Sequence, residues 1–127
     1  MKITELKIRN FVKYKNEVYT LTELFQPGGS GYFVKIKNQH KSFCLPANKI
    51  KPVKLNESWL QQLGFVKTYQ SEQIIRYESP GELMKFDIDF HDAHCMGGLK
   101  IYGNTVNCTY VHQLQNIFAF LFGKEAV

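Results

Sequence analysis

The amino-acid sequence predicts an α+β protein. A small SH3-like antiparallel β lobe is expected over residues 1–54. Over residues 55–127 an antiparallel sheet framed by a short helix and a C-terminal helix is expected, the two lobes forming one compact unit. Three observations carry this reading. Short alternating runs separated by turn residues fill the first lobe, Asn56 and Gly64 bracket a short apolar-faced segment, and Val111, Leu114, Ile117, Phe118, Leu121 and Phe122 recur at helical spacing. With 44% hydrophobic and 14% aromatic residues in 127, the chain has enough apolar surface for a core of common domain size.

The first strands are expected at Leu6-Lys7-Ile8, Phe11-Val12-Lys13-Tyr14 and, after a Lys15-Asn16 turn, Glu17 to Leu21. Pro27-Gly28-Gly29-Ser30-Gly31 reads as a flexible hairpin loop, without the lysine and following helix of a phosphate-cradling loop. Tyr32 to Lys37 alternates as a half-buried strand does, and Ser42 to Leu45 is its expected partner before Pro46 and Pro52 limit regular pairing. Asn56 is placed to cap a helix through Leu63, with Glu57 in its first turn complementing the helix dipole and Gly64 ending it. Strands are expected at 65–69, 73–77, 83–90 and 99–102, with turns at Ser79-Pro80-Gly81-Glu82 and Gly103-Asn104. Thr109 is a candidate cap for the last helix, Gly123 its natural stop, and Gln113 and Asn116 its expected ties to neighbouring strands.

Charge divides the chain unevenly. Residues 1–54 hold eleven Lys/Arg against three Asp/Glu, and residues 55–127 hold five against eight, so the net +5 is a +8 segment joined to a −3 segment. A basic half implies a surface that meets phosphates or acidic protein. No apolar run reaches the roughly 18 residues of a membrane span, and the segment after Met1 lacks the apolar stretch of a signal peptide. Cys44, Cys95 and Cys108 are odd in number and widely spaced, so no disulfide framework is expected and a reducing cytoplasm is the simplest setting.

Three groups of residues are candidates for chemistry. Asp87, Asp89, His91, Asp92, His94 and Cys95 are metal-ligand types close in sequence, but no second Cys/His pair stands at finger spacing and Asp87/Asp89 alternate as the wet face of a strand. The pattern fits a polar strand end followed by a loop, and no metal or cofactor is expected. Cys95 beside His94 is a poor thiol–base pair, since neighbours on an extended chain point apart. His112 opens a helix with no carboxylate three or four residues on to orient its ring, which favours a capping or core-edge hydrogen bond over general-base work. No GxSxG, HExxH or dinucleotide fingerprint is present, and the chain is read as a non-enzyme.

Trp59-Leu60-Gln61-Gln62-Leu63-Gly64-Phe65 and, more so, Tyr110-Val111-His112-Gln113-Leu114-Gln115-Asn116 resemble a family of small uncharacterised proteins found in phages and prophages of Bacteroidota. Glu5 to Val12 is similar to that family's start, where glycine commonly stands at the Arg9 position, and Phe120 to Glu125 to its close. Residues 26–48 and 91–108 lie outside the resemblance. The family carries no assigned activity or catalytic residues. What the resemblance implies is a mobile-element accessory protein, a class that includes anti-CRISPR inhibitors of host defence.

The candidate binding residues are therefore Lys13, Lys15, Tyr32, Lys35, Lys37, Lys41, Lys49 and Lys51, interleaved with Tyr14, Tyr19 and Phe33. Lysines and aromatics on a small sheet bind nucleic acid by phosphate contact and base stacking. The competing account is solvated lysine that protects strand edges, and Arg9 is the only arginine of this half although arginine dominates specific base readout. Two functions follow. One is an inhibitor that binds a host-defence protein or ribonucleoprotein of CRISPR-Cas type. The other is an RNA- or DNA-binding accessory of phage replication or packaging. A metal-dependent enzyme acting through residues 91–95 stands behind both.

Overall fold

The structure is a computed structural model that describes residues 3–29, 31–82, 84–89, 96–101, 104–106 and 108–123. It is α+β, with two five-stranded antiparallel sheets and two helices. The chain divides into two compact units, one from Met1–Val53 with Tyr110–Gly123 and one built on Lys54–Thr109.

In the first unit, β1 (Phe11–Tyr14), β2 (Glu17–Phe25), β3 (Phe33–Lys37) and β4 (Ser42–Pro46) form a meander, and β5 (Lys51–Pro52) pairs with the other side of β1. The order is β4-β3-β2-β1-β5, so β4 and β5 are the edges, joined in sequence by a single turn of 3-10 helix at Ala47–Lys49. Lys15 and Asn16 link β1 to β2 with φ of 48° and 64°, the twist that a two-residue hairpin requires. Alternation places Val12, Tyr19, Leu21, Val34, Ile36 and Leu45 in one buried cluster with Leu6, Ala47 and Ile50. Leu6-Lys7-Ile8 is not a strand: Ile3–Glu5 form a 3-10 turn, and only Leu6 of those three is buried. The cause is Asn10, whose buried Oδ1 accepts from the Lys7 N–H at 2.8 Å and bends the segment.

A β-bulge in β2 shapes this sheet. Leu21 pairs with Ile36 but Glu23 pairs with Lys35, so Thr22 is the inserted residue. Its Oγ1 donates to the Lys35 carbonyl at 3.0 Å. Without the insertion Glu23 would lie on the same face as Leu21. With it, Leu24 turns inward opposite Val34, while Glu23 and Phe25 turn outward.

The second unit has α1 (Glu57–Gln62) and a meander of β6 (Val66–Gln70), β7 (Ile74–Glu78), β8 (Met84–Asp89), β9 (Met96–Ile101) and β10 (Asn104–Val106). The Asn56 side chain accepts from the Trp59 N–H, which confirms the expected cap. Ile75, Tyr77, Met84, Phe86, Ile88 and Leu99 are buried on one face. The Tyr77 hydroxyl donates to Glu57 at 2.7 Å and accepts from Gln61 at 3.3 Å, which seats α1 on that face. β10 was not expected, because Gly103-Asn104 reads as a turn although Asn104 already pairs with Ile101.

The C-terminal helix α2 (Val111–Phe122) groups with the first unit, whereas the sequence reading placed it against the second sheet. Its polar arc decides this. Gln115 accepts from the Phe11 N–H at 2.8 Å and donates to the Arg9 carbonyl at 3.2 Å. Asn116 donates to the Glu5 carbonyl at 2.6 Å and accepts from Asn10 at 2.9 Å. Its start differs too, since Tyr110 rather than Thr109 is the N-cap and the Gln113 side chain accepts the Tyr110 N–H at 3.1 Å. Gln113 thus caps the helix, and Gln115 makes the tie expected of it. Gly123 ends the helix with φ of 67° as foreseen.

Candidate functional site

The antiparallel register assigns the first sheet's side chains to faces. Opposite the buried cluster, the rows run Lys51–Lys13–Val18, then Phe11–Thr20–Lys37–Ser42, then Glu23–Lys35–Cys44, then Phe25–Phe33–Pro46. Lys13, Lys35, Lys37 and Lys51 therefore share one outward face, brought together from three strands. Lys13 and Lys51 are direct cross-strand partners, an arrangement of like charges that costs stability unless an anion lies near.

Carboxylates in this half are few, and each has a named partner. Glu23 binds Lys35 at 2.8 Å, Glu17 binds Lys41 at 3.1 Å, and Glu5 lies 3.4 Å from His112. Glu17 also accepts from the Tyr19 hydroxyl at 2.7 Å. That hydroxyl and Lys41 together hold the Glu17 carboxyl below its usual range, and burial, reinforced by Glu17, pushes the Tyr19 phenol up to about 12. Among the described residues, Lys13, Lys15, Lys37, Lys49 and Lys51 then have no carboxylate partner. Lys15 instead lies over the Tyr14 ring, 5.5 Å from its centroid.

The candidate residues thus separate into groups. Lys13, Lys37 and Lys51 form an uncompensated group on the outward face. Lys35 is on that face but carries Glu23, whose hydrogen bond raises the lysine's proton affinity. Lys41 and Lys15 belong to the opposite end of the hairpins, where Phe43 packs edge to face on both Tyr14 and Tyr19. Tyr14 and Tyr19 are accordingly not platform residues, since Tyr19 is buried. Tyr32 is exposed and lines a cleft of about 290 Å³ with Ile3, Gly31, Phe33, Pro46, Ala47 and Asn48. Lys49 ends the 3-10 turn beside that cleft.

One residue of this face was missed from sequence. Phe25 stacks on Phe33 with centroids 6.1 Å apart and planes 29° from parallel. Strand alternation from Leu21 would put it inward. Only the Thr22 bulge reverses it, and no local motif announces that bulge.

Asp87 is held by Arg76 through two hydrogen bonds of 2.7 and 3.1 Å, with Lys100 at 3.5 Å, and Arg76 keeps its carboxyl below the usual range. His91, Asp92, His94 and Cys95 lie outside the described residues, and among those described no cluster of metal-ligand types occurs. His112 is fully buried, stacked on Tyr110, with its Nδ1 unpartnered. Burial lowers its proton affinity against the opposing pull of Glu5. A ring closed off from solvent cannot exchange protons with a surface ligand. Cys108 is likewise buried, and that raises its thiol to about 12, away from nucleophilic use.

No family model, curated protein or solved structure matches the chain. No described helix is long and apolar enough to cross a membrane.

Proposed function

We propose that this chain is a non-enzymatic binding protein of a mobile genetic element that inhibits a host-defence ribonucleoprotein of CRISPR-Cas type. It acts through the outward face of the β4-β3-β2-β1-β5 sheet. The observation that carries the reading is the convergence of Lys13, Lys37 and Lys51 on one face while the carboxylates of the same half hold other partners. Such a face attracts a polyanion and needs no bond to be made or broken. The mobile-element setting rests on the resemblance at both ends of the chain and around Trp59.

A second reading, an accessory that binds RNA or DNA directly in phage replication or packaging, is favoured by the Phe25–Phe33 stack on the same face. Affinity capture from a bacterial lysate carrying a defence system, with and without nuclease, separates the two. Capture of a protein complex that survives nuclease supports the inhibitor. Capture of nucleic acid alone, released by moderate salt, supports the accessory.

A further inference from the structure

We infer that the outward face of the first sheet binds single-stranded rather than double-stranded nucleic acid, with Phe25 and Phe33 as a base-stacking platform and Lys37, Lys13 and Lys51 as phosphate contacts. This rests on the binding-face reading above and names its ligand. The rows of the sheet give the geometry. Phe33 and Lys37 lie four residues apart on β3 and point to the same side, a separation of roughly 13 Å at the rise of an extended strand. Stacked rings and unpaired cations on one face, within reach of a few successive nucleotides, are what an unpaired strand requires.

Further features separate this ligand from its rivals. A duplex hides its base faces, so Phe25 and Phe33 would have nothing to stack on there. An acidic peptide would match the lysines but leave the aromatic row without a counterpart. The cleft beside Phe33, bounded by Tyr32 and by Asn48, is mostly apolar, and its volume of about 290 Å³ has room for a flat ring system. None of the face-row residues is an arginine, the side chain that most often reads base edges, so recognition should tolerate sequence. The Lys35–Glu23 pair keeps the centre of the face neutral, between the lysine end and the aromatic end.

Fluorescence anisotropy with a labelled oligouridine, a duplex of equal length and an oligoglutamate tests this directly. The single strand should bind at least tenfold more tightly than the duplex, and the oligoglutamate more weakly still. Phe25→Leu and Phe33→Leu keep apolar volume and should each weaken the single strand by about tenfold while leaving the salt slope unchanged. Lys13→Gln, Lys37→Gln and Lys51→Gln should each reduce that slope by about 0.7. Photocrosslinking of the wild-type protein to 5-iodouridine should mark peptides containing Phe25, Tyr32 or Phe33, which keeps the test open should a leucine variant unfold. Equal single-strand and duplex affinity, with the lysine variants weakened and the leucine variants not, overturns this inference and leaves the basic face standing. Affinity indifferent to the lysine variants overturns both.

Discussion

The outward faces of the two sheets carry the same awkward feature and resolve it differently. On the second sheet Lys85 and Lys100 are direct cross-strand partners, but Lys85 reaches Glu78 at 3.3 Å and Lys100 reaches Asp87 at 3.5 Å, with Arg76 bound to the same carboxylate. On the first sheet Lys13 and Lys51 oppose each other with no carboxylate among the described residues to answer them. One face is a closed network of internal partners. On the other, the paired lysines have no carboxylate partner among the described residues. The difference teaches that a lysine count says little, because register decides whether each cation is spent within the fold.

The comparison can be broken at its base, since the second face exists only because its reverse is buried. Phe86 is fully buried and packs on Phe65 with ring centroids 5.9 Å apart. Phe86→Ala should cost about 3–5 kcal/mol in urea unfolding, the range for removing a core aromatic. A loss below about 1 kcal/mol would show that this side is not the core.

The network itself comes next. Asp87→Ala orphans Arg76 and Lys100, and its side chain is only 13% exposed while that of Arg76 is 36% exposed. The expected loss is about 1–2 kcal/mol, reduced from the fully buried case by solvent around the guanidinium. Because the folded carboxyl titrates below its ordinary value of 3.8, its contribution is complete above that pH and fades as pH falls through the lowered value. Acid unfolding of Asp87→Ala should lack that limb, and binding to polyanions should not change.

A charge reversal on each sheet sharpens the contrast. Lys51→Glu converts the Lys13 pair into opposite charges, so it should raise stability by up to about 1 kcal/mol and weaken polyanion binding. Lys100→Glu sets a carboxylate against Asp87 and should lower stability without touching binding. Thermal melts and anisotropy on both variants read the two effects, and stabilisation by Lys100→Glu would end the contrast.

The smallest effect separates the units by pH. His112 is kept neutral by burial, with a folded pKa below its ordinary 6.5, so the unfolded chain takes up its proton first. The first unit should therefore begin to lose stability as pH falls through about 6.5, well before the Asp87 limb of the second. His112→Gln should flatten that early decline, measured as the unfolding midpoint against pH.

Much of the fold was legible because local chemistry wrote it. Asn56 offers a side-chain acceptor to an unsatisfied helix N–H, Gly123 accepts a left-handed φ, and Lys15-Asn16 supports a tight hairpin. Reading was poorer where one residue answered to distant partners. Leu6-Lys7-Ile8 looked extended, but Asn10 and Asn116 tie its neighbourhood down. At the site, the lysines were legible as a basic half, while the split between Lys35, held by Glu23, and Lys37, left open, was not.

By itself the sequence determined the α+β class, most strand positions, the position of both helices and the excess of positive charge in the first half. These follow from propensity, alternation and helical spacing, which act over a few residues. Tertiary structure alone decided that Lys13 stands against Lys51, that α2 joins the first unit through Gln115 and Asn116, and that Phe25 faces outward beside Phe33. Each of those depends on register or on a hydrogen bond across the fold, and the Thr22 bulge shows how one inserted residue reverses every face beyond it.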